Sequence, residues 1–228
     1  MIGAGNGFLV LAQQYVPSGV AAVMTSLIPI WMVGVEALMP GGEPLRRRQV
    51  IGLLIGFAGM VLLASSGVKL TGVGSRQFIL GVIAAQCSCL GWAVGSTYAK
   101  RHARHENVLA ATSVQMFFGG LLLIVVGTVA GEWPDWHVTL RSTLAVFYLL
   151  IVGSFIGYVS YVYALKYLPV SMVSLYAYVN PVIAVILGAL ILKEPFTARM
   201  AVAIAIIFAA MLIARPVPDR TPADTSPS

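Results

Sequence analysis

Hydrophobic residues fill eight long runs of the chain, which short polar or basic connectors separate. The runs cover residues 2–16, 18–39, 49–68, 77–99, 108–130, 143–165, 170–192 and 200–214. A helix needs about 20 apolar residues to cross a bilayer, and most of these runs reach that length. The pattern therefore predicts an all-α polytopic membrane bundle of about eight transmembrane helices.

The composition supports a membrane protein and excludes a soluble fold. Of the 228 residues, 59% are hydrophobic and 10% are charged, and the mean hydropathy is +0.90. An average soluble domain is roughly 25% charged. The net charge of +6 comes from short Lys and Arg clusters between the runs. This distribution is typical of membrane topology and not of a nucleic-acid surface, so we expect a lipid bilayer as partner and no nucleic acid.

The positively charged residues also predict the orientation in the membrane. Alternate connectors hold nine Lys and Arg on one side and five on the other. Because cytoplasmic loops carry an excess of these residues, the side with nine is predicted to be cytoplasmic, and it includes the C-terminus. Residues 215–228 are rich in Pro, Ser and Thr and are predicted to form a disordered tail.

Two parts of the chain match each other at a separation of about 152 residues. The match pairs residues 15–39 with 167–191 and residues 43–62 with 194–213. Thirteen of 45 aligned positions are identical, among them Pro29 with Pro181 and Glu43 with Glu194. One period contains five runs, an odd number, so the two copies cross the membrane in opposite directions. Inverted repeats are typical of secondary transporters, although a duplication without alternating access, as in some channels, is the alternative.

Five segments resemble a known family of membrane proteins. They read GNG at 5–7, VPSGVAAV at 16–23, GLLIGFAGMVLL at 52–63, GWAVGSTYAKR at 91–101 and YAYVNPVIAVILGALILKEPFT at 176–197. The chain resembles the EamA family of the drug/metabolite transporter superfamily. The resemblance implies a ten-helix architecture of two inverted five-helix repeats. It assigns 1–68 to the C-terminal part of the first repeat and 77–214 to a complete second repeat, so that the first two helices and the start of a third would be missing.

The resemblance and the inverted repeat together imply a function. We expect a secondary transporter of the inner or plasma membrane, an exporter of small metabolites such as amino acids, that works by alternating access without a cofactor. A noncatalytic assembly subunit or an inactive fragment is the alternative, and a homodimer could supply the missing helices. An intramembrane enzyme is disfavoured because every Asp and His lies outside the runs. The same placement predicts no metal site.

The candidate substrate-binding residues are polar or aromatic side chains inside apolar runs. In lipid such side chains must face protein or a water-filled cavity. Tyr176 and Asn180 stand four residues apart, on one helical face, and Pro181 frees a backbone carbonyl one turn earlier. These residues either bind the substrate or only satisfy the kink, and the sequence leaves both interpretations open.

Further candidates lie in other runs. Ser154 and Tyr158 form a polar stripe with Tyr161, for which cavity lining and ordinary packing are both open. Trp92 and, in the first copy, Thr25 complete the predicted substrate-binding set.

Two prolines and one acid have other predicted roles. Pro29 and Pro181 occupy equivalent positions in the two copies and are predicted to kink their helices, for gating or for packing. Glu36 is the acidic residue inside a run. It is predicted to pair with the basic cluster at residues 46–48, with proton coupling as the alternative. Glu43 is predicted to cap the helix that follows it.

Overall fold

The computed structural model describes residues 1–64, 75–102, 107–133, 138–191 and 197–214. These residues form helices and short turns. The helices are α1 (Ile2–Tyr15), α2 (Ser18–Thr25), α3 (Ile28–Leu38), α4 (Arg47–Ala64), α5 (Arg76–His102), α6 (Val108–Val129), α7 (Leu140–Tyr148), a π-helical segment (Leu149–Tyr158), α8 (Val159–Tyr167), α9 (Val170–Val173), α10 (Tyr176–Ile191) and α11 (Ala198–Ala214).

The helices confirm the predicted polytopic membrane bundle. Each of the eight apolar runs contains one helix or a chain of consecutive helices in the described residues. Among these residues, five helical stretches are long and apolar enough to cross a membrane, and α11 is a shorter apolar helix. The protein is therefore a multi-pass membrane protein. The predicted disordered tail at 215–228 lies outside the described residues.

The segments that match in the sequence run in opposite directions. Arg101 at the end of α5 contacts Glu36 near the end of α3, whereas the first residue of α9, Val170, contacts Glu43. The end of α3 and the start of α9 thus lie at one end of the bundle. We call this end, which holds Glu36, Glu43, Lys100 and Arg101, the Lys100 end. The antiparallel course of α3 and α10 is the arrangement that an inverted repeat requires.

Helices α4 and α11 form a close antiparallel pair. The Arg48 guanidinium donates to the carbonyl oxygen of Ile213 at 2.8 Å, so the start of α4 lies beside the end of α11. A Cβ atom on Gly52 would lie 2.7 Å from the Ala214 nitrogen and 2.8 Å from the Ala210 oxygen. Small residues permit this approach of two backbones, which gains van der Waals contact in a solvent of lipid tails.

A cluster of buried side chains next to this pair joins α10 to α4. The Tyr178 ring is fully buried, and its hydroxyl donates to the Leu53 carbonyl oxygen at 2.8 Å. A Cβ atom on Gly56 would lie 2.7 Å from the same ring. Helix α10, which carries Tyr176 and Asn180, is therefore fixed against α4 through the residue that lies between them in sequence.

The two matched prolines have different structural roles. Pro29 lies in the first turn of α3, after the interruption at Ser26 and Leu27 that separates α2 from α3. Its missing N–H is one of the donors that a helix start leaves unpaired in any case. Pro181 instead lies inside α10, where it cannot donate to the Ala177 carbonyl. Pro181 therefore lies at the interior position for which a kink was predicted, whereas Pro29 starts a new helix.

Candidate functional site

A cavity of about 450 Å³ is lined by residues of α1, α2, α3, α5, the π-helical segment, α8 and α10. We call it the central cavity. Its volume falls within the range of about 300–1,000 Å³ that is typical of small-molecule sites. Its described lining residues are Gly5, Asn6, Leu9, Thr25, Ile28, Ser88, Trp92, Gly153, Gly157, Tyr158, Tyr161, Tyr176, Ala177, Asn180 and Pro181. The cavity thus lies between the segment before residue 64 and the segment after residue 75.

The structure brings most of the predicted site residues into this lining. Tyr176, Asn180, Tyr158, Trp92 and Thr25 all contribute to it, although they come from four separate apolar runs. Their shared location follows from the folding of those runs around one cavity.

Three of the predicted residues lie elsewhere. Ser154 is not among the described lining residues, although its neighbour Gly153 is. Pro29 lies in the turn of α3 beside the lining residue Ile28. Glu36 is at the Lys100 end, where it lines a different, smaller cavity.

Three polar lining residues were not among the predicted substrate-binding residues: Asn6, Ser88 and Tyr161. Tyr161 was part of the predicted polar stripe, with ordinary packing as the alternative. Asn6 is a polar side chain in an apolar run, and the same criterion that selected Asn180 would have selected it. Tyr161 is the last member of the stripe that Ser154 begins, and it lies one helical turn after Tyr158.

An aromatic floor closes the cavity on the side of the Lys100 end. The Trp92 indole N–H donates to the Tyr161 hydroxyl oxygen at 3.0 Å, and the Ser96 and Tyr161 hydroxyls are 2.7 Å apart. The Tyr161 ring also packs edge-on against the Tyr176 ring, with centroids 5.0 Å apart. Ser96 is fully buried. The Tyr161 side chain is thus held from α5 by two hydrogen bonds and from α10 by a ring contact.

The opposite side of the cavity carries the exposed lining residue Asn180. This residue lies one turn beyond Tyr176, away from the Lys100 end. Below the floor, in contrast, Met32, Leu165 and Val170 form a buried cluster. Buried packing thus separates the cavity from the Lys100 end, and we call the side that holds Asn180 the open side.

Polar groups in the cavity differ in whether the protein already satisfies them. The Thr25 hydroxyl donates to the Ala22 carbonyl, the Ser88 hydroxyl to the Gly5 carbonyl, and the Tyr158 hydroxyl to the Gln115 side chain. Within the described residues, the Tyr176 hydroxyl and the Asn180 amide have no hydrogen-bond partner. Asn180 thus does not satisfy the backbone at Pro181, which was the structural alternative for this residue. Both groups are available to a ligand.

The Lys100 end carries a separate cluster of charged side chains. Glu43 accepts hydrogen bonds from the Lys100 ammonium at 2.9 Å, the Val170 backbone N–H at 2.8 Å and the Ser171 hydroxyl at 2.8 Å. Burial opposes ionisation of this carboxyl, but the hydrogen bonds from these three groups outweigh it, so the pKa of Glu43 lies below its ordinary value. Glu43 is therefore an anion at neutral pH.

Two predictions for the acidic residues were wrong in their partners. Glu43 was predicted to cap α4, but α4 begins at Arg47 and the carboxylate caps α9, which is more than 120 residues away in sequence. Glu36 was predicted to pair with the basic cluster at 46–48, but its described ion pair is with Arg101 at 3.3 Å. Glu194, which is the repeat counterpart of Glu43, lies outside the described residues.

A Tyr161→Phe substitution tests the aromatic floor. We expect the free energy of unfolding to fall by about 1–3 kcal/mol because the half-buried Trp92 indole N–H loses its acceptor. Tryptophan fluorescence of the purified protein during thermal unfolding measures the change. The matched control is Tyr163→Phe, at a tyrosine whose side chain is 57% exposed. If Tyr161→Phe and Tyr163→Phe unfold at the same temperature, the role assigned to Tyr161 is contradicted.

Comparison with known proteins agrees with the fold. The model of the EamA-like transporter family matches residues 1–65 and 79–215, which are most of the chain. The chain belongs to the EamA-like transporter family. This confirms the resemblance that the sequence motifs showed.

Curated relatives carry names that describe membrane transport. The uncharacterized inner membrane transporter YedA of Escherichia coli K12 is 34% identical over 191 residues, which are 82% of this chain and 59% of YedA. The uncharacterized transporter YvbV of Bacillus subtilis is 25% identical, over 84% of this chain and 61% of YvbV. Protein PecM of Dickeya dadantii is 27% identical, over 95% of this chain and 71% of PecM. The chain thus spans about three fifths of the length of YedA and YvbV.

A solved crystal structure has a similar fold. It superposes on this protein with a TM-score of 0.76, over 93% of this chain and 73% of its own length. The sequence identity is 24%, so the likeness concerns the fold alone.

Proposed function

We propose that the protein is a secondary transporter of a bacterial inner membrane that exports small metabolites, such as amino acids, by alternating access. Membership of the EamA-like transporter family and the names of the relatives support transport across a membrane. The antiparallel course of the matched segments supports alternating access, in which two inverted copies move about a shared site. The central cavity is the substrate site in this proposal.

One observation carries the assignment of the site. The Tyr176 hydroxyl and the Asn180 amide face the central cavity without a hydrogen-bond partner among the described residues. An unsatisfied polar group at membrane depth is costly, so such groups persist where a ligand or water satisfies them. A substrate that bridges the hydroxyl and the amide would be held by α10 on one side of the cavity.

The lining indicates the chemistry of the substrate. None of its described residues carries a charge, and three of its walls are the rings of Trp92, Tyr158 and Tyr176. A solute with a net charge would lose its hydration there without gaining a counter-ion. A neutral solute with an apolar or aromatic portion fits these walls, because its rings can stack and its polar groups can reach the amides. An amino acid would need hydrogen bonds from the Tyr176 hydroxyl and the Asn180 amide to its carboxylate and ammonium groups.

The predicted orientation assigns this arrangement of the cavity to the outward-open state of the transport cycle. With the C-terminus in the cytoplasm, the Lys100 end is cytoplasmic and the open side of the cavity faces the periplasm. An exporter in this state has released its substrate outward and awaits its return to the inward-open state. The basic residues at the Lys100 end, Arg101 among them, agree with a cytoplasmic face.

Counterflow in proteoliposomes tests the proposed function. We expect vesicles loaded with an unlabelled amino acid to accumulate the same labelled amino acid, for at least one member of a panel of the twenty standard amino acids. Exchange needs no energy source, so the assay does not depend on the unknown coupling. Vesicles without protein are the control. The absence of counterflow for the whole panel would contradict amino-acid transport and favour the assembly-subunit alternative.

A further inference from the structure

Glu43 joins the end of α5 to the start of α9 at the Lys100 end. One carboxylate oxygen accepts from Lys100 at the end of α5 and from the Val170 N–H at the start of α9, and the other accepts from Ser171. Glu43 itself lies in the connector before α4, beyond the turn in which Gly41 adopts φ +68°. Three separate parts of the chain therefore meet at one side chain.

The contacts of Glu43 hold the first turn of α9 in place. The first N–H groups of a helix have no partner within the helix. Val170 is fully buried and Ser171 is 5% exposed, so water does not readily replace the carboxylate as their acceptor. The Lys100 ammonium adds a charge-assisted hydrogen bond to the same oxygen, which makes the contact stronger than one between neutral groups.

The first turn of α9 in turn supports the cavity floor. Val170 and Val173 belong to the buried cluster that also contains Met32 and Leu165. The Met32 sulfur lies 3.7 Å from the Tyr161 hydroxyl, which is part of the floor. A continuous set of contacts thus leads from the Glu43 carboxylate through α9 to the central cavity.

The neighbouring ion pair does not make the same connection. Glu36 contacts Arg101 at 3.3 Å and so joins α3 to α5. Its second carboxylate oxygen and the Arg101 Nε are buried without a partner among the described residues. Glu36 therefore gains less from its pairing than Glu43 does, and it does not reach α9.

We infer that Glu43 is a releasable latch. It keeps the Lys100 end closed by binding Lys100 and the start of α9, and its hydrogen bonds to α9 break when the cavity opens at that end. The inference rests on the proposed function, because it assigns the latch a place in alternating access. A carboxylate held by exchangeable hydrogen bonds is suited to this role, since packed helices move between discrete arrangements when a local contact is lost.

Cysteine labelling tests the latch without any substrate. The parent protein carries Cys87→Ala and Cys89→Ala, and a reporter Ser174→Cys is placed at a fully buried residue after α9. In nanodiscs, which expose both faces, N-ethylmaleimide should label the reporter slowly. We expect Glu43→Gln to raise this rate about tenfold, which corresponds to about 1.4 kcal/mol. The matched control Glu132→Gln makes the same chemical change outside the Lys100 end and should leave the rate at the parent value.

A second reporter separates a latch from a merely structural contact. Asn180→Cys, in the same background, reports the open side of the cavity. If Glu43→Gln releases the latch, labelling at 174 rises and labelling at 180 falls, because alternating access closes one side as the other opens. A rise at both reporters indicates general loosening and overturns the latch, as does an unchanged rate at 174.

The latch and the transport proposal fail independently. Counterflow of an amino acid together with unchanged labelling at 174 would overturn the latch alone. Opposite changes at the two reporters without counterflow of any amino acid would support the latch and contradict the proposed substrate class.

Discussion

Counterflow by the double variant Tyr176→Ala, Asn180→Ala is expected to fall about a hundredfold, the effect of losing roughly 2.7 kcal/mol of substrate binding. The structure places both side chains in the central cavity and leaves their polar groups without a partner among the described residues. Removing a hydrogen bond and an aromatic contact costs about 1–2 kcal/mol each, which gives this magnitude. The measurement is the initial rate of amino-acid counterflow in proteoliposomes at matched protein density.

The matched control for this prediction is Tyr163→Ala. Tyr163 lies on the exposed face of α8, so its removal deletes the same ring away from the cavity. Thermal unfolding of both variants monitors folding, because Tyr176 also packs against Tyr161. Counterflow that persists at the wild-type rate in the folded double variant would contradict the site assignment.

A Gly52→Val substitution is expected to lower the free energy of unfolding by about 3 kcal/mol, at the upper end of the usual range for an oversized side chain. The new side chain would begin 2.7–2.8 Å from backbone atoms of Ala210 and Ala214, and backbone cannot rotate out of the way. Helices α4 and α11 would have to move apart and lose contact along their length. Thermal unfolding in detergent, followed by tryptophan fluorescence, measures the loss.

Gly34→Val controls for the change of residue type. Gly34 also lies inside a helix, but a Cβ atom there would meet nothing within 4 Å. The two variants share the effect of valine on a helix backbone and differ in the clash. If Gly52→Val unfolds at the same temperature as Gly34→Val, the close approach of α4 and α11 is not as described.

The helices could be predicted from the sequence because each depends on a local pattern. An apolar run of sufficient length becomes a helix in lipid whatever its neighbours are, since its backbone must satisfy its own hydrogen bonds. The interruptions at Ser26–Leu27 and Ser174–Leu175 could not be predicted in this way, because the runs stay apolar through them. Pro29 lies just after the first interruption, but its match Pro181 lies inside a helix, so a proline alone does not predict an interruption.

The site could be predicted in part for a related reason. Tyr176 and Asn180 are conspicuous because polar groups are rare in apolar runs, and this signal needs no knowledge of the partner helices. The partners of Glu43 and Glu36 were predicted wrongly because local spacing favoured nearby residues. Glu43 instead contacts Val170 and Lys100, which lie far along the chain and come close only when the two halves pack together.

Protection of a cysteine in the cavity tests the central claim most directly. Leu9→Cys, at a lining residue that offers the substrate no polar group, is placed in the Cys87→Ala, Cys89→Ala background and labelled with N-ethylmaleimide in the presence and absence of the amino acid that drives counterflow. The account predicts that a saturating amino acid slows labelling at 9 and leaves labelling of a Gln77→Cys control, at the exposed start of α5, unchanged. An unchanged labelling rate at 9 under conditions of full counterflow would show that the substrate binds elsewhere.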